Sequence, residues 1–246
     1  PTAICQDLTV QLDASGAGSI TASQVNNGSF DNCVITTLAL DKMNFTCADV
    51  GANTVTMTVT DINGNTGTCT STVTVQDNVA PIAICQDLTV QLDASGAGSI
   101  TAAQVNNGSS DNCSIDTMTL DQTDFTCADI GTKTVTLTVT DVNGNTSTCT
   151  STITVEDNVA PIALCQNLTV QLDATGAGSI TAAQVDNGSS DNCSIDTMTL
   201  DQTDFTCADV GANTVTMTVT DANGNVSTCT STITVQDNIN PTAICQ

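Results

Sequence analysis

The sequence predicts an all-β protein made of tandem β-sandwich modules that are stapled by disulfides. The first observation is an internal period of 80 residues, in which Pro1, Pro81, Pro161 and Pro241 occupy equivalent positions. Such a period is the sequence signature of a repeat array. We therefore place repeats at residues 1–80, 81–160 and 161–240, with the start of a fourth repeat at 241–246.

The second observation is a hairpin pattern that runs from Thr54 to Val75 and recurs at 134–155 and 214–235. Val55, Met57 and Val59 alternate with threonines, which is typical of a half-buried β-strand. An Asn63-Gly64 pair separates the two arms, and this dipeptide favours the positive φ angles of a tight hairpin turn. Each repeat should therefore close with two antiparallel strands, apolar on one face and covered by threonine on the other.

The remainder of each repeat shows further short strands and no helical period. A first strand is expected over residues 1–12, with a kink near Gln6, and a second over 20–25. An irregular strand region is expected over 34–45. About seven short strands separated by Gly-, Asn- and Asp-rich turns are typical of a β-sandwich.

The cysteines indicate disulfides rather than zinc. There are thirteen, four in each repeat plus Cys245, at successive offsets of 28, 14, 22 and 16 residues and without a CxxC pair. This usage is typical of an oxidising, extracellular setting, and a module of this size needs staples because its core is small. Four cysteines allow three pairings.

We favour one disulfide that closes a short loop and one that links the first strand to the last. They would stabilise the folded repeat by roughly 3 and 4 kcal/mol, respectively. The rival is a link between repeats, Cys69–Cys85, which would have to double back along a strand and the linker. The favoured pairs are Cys33–Cys47 and Cys5–Cys69, then Cys113–Cys127 and Cys85–Cys149, then Cys193–Cys207 and Cys165–Cys229.

The charge excludes several classes of function. The net charge is −24, and Lys42 and Lys133 are the only basic side chains, so nucleic acids and anionic membranes would be repelled. The sequence has no His and no constellation of a nucleophile with a base, which argues against an enzyme. We expect no insertion of this segment into a membrane.

The motifs also resemble a known family. Asp31-Asn32-Cys33, Phe45, Gly51 with VTMTVTD, then Cys69 and a closing VTV with Asp77 and Pro81 resemble the hyalin-repeat (HYR) module. The longer string CQDLTVQLDASGAGSITA resembles the repeats of giant surface adhesins of gliding Bacteroidetes. The resemblance covers the whole chain. It implies an immunoglobulin-like sandwich and a role in cell adhesion as an extracellular stalk or filament at the cell surface, in a setting linked to gliding motility.

Calcium is the cofactor for which the sequence offers ligands. The linker Asp77-Asn78-Val79-Ala80-Pro81 is similar to the end of the cadherin linker, which holds calcium between successive sandwiches. The hairpin turn also carries an oxygen-rich DxNxN cluster, although the same cluster is compatible with an ordinary Asx turn. The candidate ligands are Asp61, Asn63, Asp77, Asp141, Asn143, Asp157, Asp221, Asn223 and Asp237.

Three further expectations concern glycosylation, partners and function. Asp116-Thr117-Met118 and Asp196-Thr197-Met198 match an O-glycosylation acceptor pattern of Bacteroidetes, so Thr117 and Thr197 are candidate glycan sites. Neighbouring repeats of the same chain are the expected partners, together with surface glycans or lateral copies in a fibre. The favoured function is a structural array that spaces and presents a distal region; the alternative is a set of calcium-dependent modules that contact glycans or partner surfaces directly.

Overall fold

A computed structural model describes residues 1–243 and shows one order of elements three times over. The first repeat contains β1 (Leu8–Gln11), β2 (Ala17–Ser19), α1 (Ala22–Val25), β3 (Ile35–Leu40), β4 (Asn44–Thr46), a 3₁₀ turn (Cys47–Asp49), β5 (Gly51–Asp61) and β6 (Thr66–Gln76). The second contains β7 (Leu88–Gln91), β8 (Ala97–Ser99), α2 (Ala102–Val105), β9 (Ile115–Leu120), β10 (Asp124–Thr126), a 3₁₀ turn (Cys127–Asp129), β11 (Gly131–Asp141) and β12 (Thr146–Glu156). The third contains β13 (Leu168–Gln171), β14 (Ala177–Ser179), α3 (Ala182–Val185), β15 (Ile195–Leu200), β16 (Asp204–Thr206), a 3₁₀ turn (Cys207–Asp209), β17 (Gly211–Asp221) and β18 (Val226–Gln236).

Each repeat is a β-sandwich with a large and a small sheet. In the first repeat the large sheet has the order β1-β6-β5-β3, and β2 and β4 form the small one. Strand β1 runs parallel to β6, whereas β5 is antiparallel to both β6 and β3. The large sheets of the other repeats have the equivalent orders, β7-β12-β11-β9 and β13-β18-β17-β15. The predicted fold class, an all-β array of immunoglobulin-like sandwiches with disulfide staples, is confirmed.

The hairpin of β5 and β6 forms the core wall of the first sandwich. Val55, Met57 and Val59 are fully buried and pack in one cluster with Phe45, which is 1% exposed. In the third repeat, Phe205 occupies the equivalent position, and the core cluster is built from the residues equivalent to those of the first repeat. The period-2 pattern therefore assigned the inner face correctly, because alternate residues of a strand point to opposite faces.

The turn of this hairpin differs from the expected one. Gly64 has a φ of 85°, but no residue other than glycine has a positive φ in the described part of the chain. The Asp61 carboxylate closes the turn instead: its Oδ1 accepts hydrogen bonds from the backbone N–H groups of Asn63 and Asn65, both at 2.8 Å. An Asx turn with one left-handed glycine thus replaces the tight turn that needs two positive φ angles.

A second correction concerns residues 20–25, which were expected to be a strand. Ala22–Val25 is a single helical turn, and the short strand β2 precedes it. The Gln24 side chain accepts a hydrogen bond of 2.7 Å from the backbone N–H of Thr21, which is half of a capping box. The first strand is also shorter than expected, because Thr2 and Cys5 form only isolated bridges before β1 begins.

The chain divides into two compact units whose limits differ from those of the sequence repeats. One unit comprises Pro1–Asp87, Thr101–Gln122 and Thr134–Thr152. The other comprises Leu88–Ile100, Thr123–Lys133 and the described residues from Ile153 onwards. Each unit contains one passage from a repeat to the next, and the candidate site lies at that passage. No helix within residues 1–243 is long and apolar enough to cross a membrane. Cys245 lies outside the described residues.

Candidate metal centre at the repeat junctions

Two disulfides join consecutive repeats. Cys47 is bonded to Cys113 in one compact unit, and Cys127 is bonded to Cys193 in the other, each across 66 residues of sequence. The predicted pairs Cys33–Cys47, Cys113–Cys127 and Cys193–Cys207 are wrong, and so is the rival Cys69–Cys85. Cys33 and Cys207 have free, exposed thiols.

Strand direction explains the error. Cys47 stands just before β5, and Cys33 stands just before β3, which is antiparallel to β5. The two cysteines therefore lie at opposite ends of an 11-residue strand, about 35 Å apart at about 3.3 Å per residue. A short separation in sequence suggested proximity, whereas the polarity of the two strands excludes it.

The disulfides within repeats agree with the sequence. Cys5 is bonded to Cys69, and the equivalent bonds are Cys85–Cys149 and Cys165–Cys229. Cys69 lies in β6 opposite Met57, so the bond attaches the entering segment of the repeat to its closing hairpin. Five disulfides in the described chain are typical of a secreted or extracellular protein, since reducing compartments rarely maintain them.

The residues before Cys113 form a loop, Asp111–Cys113, which we call the junction loop. The Asn112 side-chain amide donates to Asp77 Oδ1 at 3.1 Å and to the carbonyl oxygen of Asp13 at 3.2 Å, both of which belong to the preceding repeat. Asp111 Oδ2 accepts from the backbone N–H groups of Cys113 and Ser114, at 2.9 and 3.2 Å. These bonds leave Asp111 Oδ1 and Asn112 Oδ1 buried and without a partner.

Asp77 reaches the junction from the linker that follows β6. Its side chain is 5% exposed, and Oδ1 accepts from the backbone N–H of Val79 at 3.1 Å in addition to Asn112. Its other oxygen, Oδ2, is buried and has no hydrogen-bond partner. A buried carboxylate oxygen without a donor is costly, so this atom is a candidate metal ligand.

Asp141 reaches the junction from the turn after β11. It is 1% exposed and accepts from Asn143 N at 2.9 Å, from Asn145 N at 2.8 Å and from Asn145 Nδ2 at 2.7 Å. Burial raises the pKa of the Asp141 carboxyl, but the hydrogen bonds from Asn145 and Asn143 outweigh burial and keep the pKa below its ordinary value. Asp141 is therefore ionised at neutral pH. Asn145 Nδ2 also donates to the carbonyl oxygen of Asp77 at 3.1 Å.

These residues converge in a cluster that we call the carboxylate trio, Asp77, Asp111 and Asp141. One oxygen from each lies within 4.8 Å of the others. Two oxygens bound to one Ca²⁺ at 2.3–2.6 Å lie at most about 5 Å apart, so this spacing suits calcium. The donor set of three carboxylates and the free amide oxygen of Asn112 consists of the hard oxygens that calcium prefers. Within residues 1–243 the two lysines form ion pairs with Asp49 and Asp129, both outside the trio.

The second compact unit contains the same arrangement. Its trio is Asp157, Asp191 and Asp221, again with oxygens within 4.8 Å of one another. Asp157 is 4% exposed, and the oxygens without partners are the equivalent ones, Asp157 Oδ2, Asp191 Oδ1 and Asn192 Oδ1. The pKa of Asp221 is lowered in the same way as that of Asp141. The free oxygens thus recur at equivalent positions of both described junctions.

The remaining predicted ligands are not part of a trio. Asn63, Asn143 and Asn223 are exposed, and in each case the backbone N–H binds the turn aspartate. Asp61 has Asp31 as its neighbour, and these two residues are the first-repeat equivalents of Asp141 and Asp111. Asp237, the counterpart of Asp77, is exposed.

Sequence reasoning missed Asp111 and Asp191. The signal was available, because Asp-Asn-Cys recurs in every repeat. The Asp-Asn-Cys motif is far along the chain from the linker and from the hairpin turn, so the sequence alone did not show that the three segments converge.

The candidate glycan sites lie elsewhere. Thr117 and Thr197 are exposed on β9 and β15, which are edge strands of the large sheets. Their glycosylation stays a prediction.

Comparisons with known proteins give only distant structural similarities. No family model and no curated protein matches the sequence. Similar solved structures include a three-domain I-band fragment of titin, I67–I69, at 12% identity and a TM-score of 0.38, covering 95% of this chain and 97% of that one. Mouse cadherin-23 EC22–24 is 14% identical with a TM-score of 0.36, covering 95% and 96%. The extracellular domains 1–4 of protocadherin gamma B7 are 13% identical with a TM-score of 0.34, covering 82% of this chain and 66% of that one.

By its fold the chain is a tandem array of immunoglobulin-like sandwiches, with a disulfide and a carboxylate trio at each described junction.

Proposed function

We propose that the chain is a structural segment of an extracellular adhesin or filament, in which the repeats space and present a distal region. The observation that supports this function is the pair of disulfides Cys47–Cys113 and Cys127–Cys193, which tie one repeat to the next. A disulfide beside a short linker gives each junction two covalent connections. Such a junction resists hinge motion, which is what a spacer requires and an independent binding module does not.

Small-angle X-ray scattering in the presence of a chelator tests this proposal. The comparison is between the oxidised chain and a variant carrying Cys47→Ser, Cys113→Ser, Cys127→Ser and Cys193→Ser. We expect a broader distribution of interatomic distances for the variant, because its junctions lose a covalent constraint. A variant that keeps these four cysteines and carries Cys5→Ser and Cys69→Ser is the control. Identical scattering from all three proteins would contradict the proposal.

The alternative function, direct binding by the repeats, predicts a different result. The oxidised chain would then show saturable, calcium-dependent binding to a glycan array or a partner surface, and its melting temperature would rise with that ligand. A spacer shows neither effect. Lateral copies in a fibre would need cations between them, because each chain carries a net charge of −24.

We further propose that each described junction binds one calcium ion. The supporting observation is the buried, unpartnered Oδ2 of Asp77 and of Asp157, each in a group of three carboxylates. Asp77 would bring the preceding repeat to the ion, and Asp111 and Asp141 would bring the following one. Calcium would supply the positive charge that the described side chains do not bring to this place, and so would hold the two repeats together.

Isothermal titration of the chelator-treated, oxidised chain with Ca²⁺ tests the site. We expect two ions per chain and a higher melting temperature with calcium. Asp111→Asn with Asp191→Asn should lower the affinity about tenfold or more, since affinity depends on the number of charged ligands. Asp116→Asn with Asp196→Asn removes the same charge outside both trios and should leave the affinity unchanged. An unchanged melting temperature and no heat of binding would contradict the proposal.

A further inference from the structure

The junction disulfide and the carboxylate trio share one loop. Asp111 and Asn112 carry the free oxygens, and the next residue is Cys113, whose bond to Cys47 fixes the loop to the preceding repeat. The backbone of the loop is close to the bond as well, since the Asn112 carbonyl oxygen lies 3.5 Å from Cys47 Sγ. In the second unit the corresponding distance, from Asn192 O to Cys127 Sγ, is 3.6 Å.

The members of each trio come from two repeats. Asp77 belongs to the repeat before the junction, and Asp111 and Asp141 belong to the repeat after it. Like charges this close repel one another, so without a cation the trio drives the two repeats apart. The disulfide opposes this separation, and a bound cation would remove the repulsion.

We propose that the Cys47–Cys113 and Cys127–Cys193 disulfides position the calcium ligands, so that calcium binding and disulfide formation stabilise each other at each junction. This inference rests on the calcium site proposed above. Linkage requires the effect to be reciprocal: the factor by which the disulfide tightens calcium binding is the factor by which calcium favours the disulfide. Couplings between sites are typically 5–150-fold.

The Cys5–Cys69 bond provides the contrast. It connects two segments of one repeat, and neither cysteine is adjacent in sequence to a member of a carboxylate trio. It should therefore be uncoupled from calcium, although its chemistry is the same.

The first experiment measures calcium affinity in the oxidised chain by titration calorimetry. Cys47→Ser with Cys113→Ser removes one junction disulfide, and the intact Cys127–Cys193 junction is an internal control. We expect one of the two calcium sites to weaken 5–150-fold while the other keeps its affinity. Cys5→Ser with Cys69→Ser should leave both affinities unchanged. Equal affinities in all three proteins would overturn the coupling and leave the calcium sites standing, whereas no binding to the oxidised wild type would overturn both.

The second experiment uses the unmutated chain and does not depend on a variant folding. In a glutathione buffer, two glutathione thiols reduce one protein disulfide: each gives up a proton and one electron, the S–S bond breaks to two protein thiols, and one molecule of glutathione disulfide forms. Alkylation followed by mass spectrometry reports the oxidised fraction of each pair. With calcium instead of a chelator, the equilibrium constant for oxidising Cys47 and Cys113 should rise 5–150-fold, and that for Cys5 and Cys69 should stay constant. An equal shift of both pairs, or of neither, would overturn the proposal.

Discussion

Gly16 and Asn112 belong to different repeats and approach so closely that a Cβ atom on Gly16 would lie 2.9 Å from the carbonyl oxygen of Asn112. The same Cβ would lie 2.7 Å from Cys47 Sγ, and the φ of Gly16 is 75°, in the left-handed region. Glycine is thus needed here both for its backbone conformation and for the space that it leaves to the junction loop.

Alanine substitutions separate these two requirements. Gly176 occupies the equivalent place in the third repeat, with a φ of 80°, and a Cβ there would lie 2.7 Å from Cys207 Sγ but would meet no junction loop. Gly176→Ala should cost about 1–2 kcal/mol of unfolding free energy for the left-handed conformation. Gly16→Ala should cost about 1–3 kcal/mol more than that, because the loop backbone must move. Urea denaturation measures both, and equal losses would show that the contact with Asn112 carries no energy.

The pairing of the cysteines is directly testable by peptide mapping. Digestion of the non-reduced chain with a protease that cleaves at aspartate should release a peptide pair containing Cys47 and Cys113 and another containing Cys127 and Cys193. Cys33 and Cys207 should react with iodoacetamide before reduction, because their thiols are free and exposed. Recovery of a Cys33–Cys47 peptide pair would contradict the structure.

Asn145 and Asn65 form a matched pair for the hydrogen bond that crosses the junction. Asn65 donates to Asp61 Oδ2 at 2.7 Å, and Asn145 donates equally to Asp141 Oδ2 but also to the carbonyl oxygen of Asp77 at 3.1 Å. Asn145→Ala should therefore destabilise the chain by about 1 kcal/mol more than Asn65→Ala. Chemical denaturation of the two variants in the presence of a chelator gives the difference. A difference of zero would mean that the second bond contributes nothing.

Acid should destabilise the chain through the aspartates that close its turns. Asp93 accepts from Ser95 Oγ at 2.6 Å, from Ser95 N at 2.8 Å and from Ala97 N at 3.1 Å, and these bonds, with that of the hydroxyl foremost, lower its pKa. Asp13 and Asp173 have lowered pKa values for the same reason. A lowered folded-state pKa gives stability that is present above the unfolded value near pH 4 and is lost as the pH falls through the folded value.

Thermal melting between pH 7 and pH 2 measures this effect. When the pH is lowered below about 4, the melting temperature of the wild type should decrease. The decrease should be smaller in a triple variant that carries Asp13→Asn, Asp93→Asn and Asp173→Asn. A triple variant with the profile of the wild type would contradict the assignment.

Local signals in the sequence predicted the fold of one repeat well, and they failed where contacts cross between repeats. Alternation placed Val55, Met57 and Val59 in the core because the strand period depends on neighbouring residues alone. The Cys47–Cys113 bond joins residues of consecutive repeats, whose proximity depends on the path of the linker between them. Asp111 was missed for the same reason, since its partners Asp77 and Asp141 lie 34 residues before it and 30 residues after it. Residues 22–25 show the remaining kind of failure, in which one Thr-Gln cap outweighs the β propensity of the surrounding segment.

The disulfides of this chain overlap along the sequence. The spans 5–69, 47–113, 85–149, 127–193 and 165–229 each begin before the previous one ends. Every peptide bond between Cys5 and Cys229 is therefore enclosed by at least one disulfide, and a protease that cuts any single one of them leaves both fragments covalently attached. Without the two bonds between repeats, the segments 69–85 and 149–165 would be unprotected, and one cut there would divide the molecule.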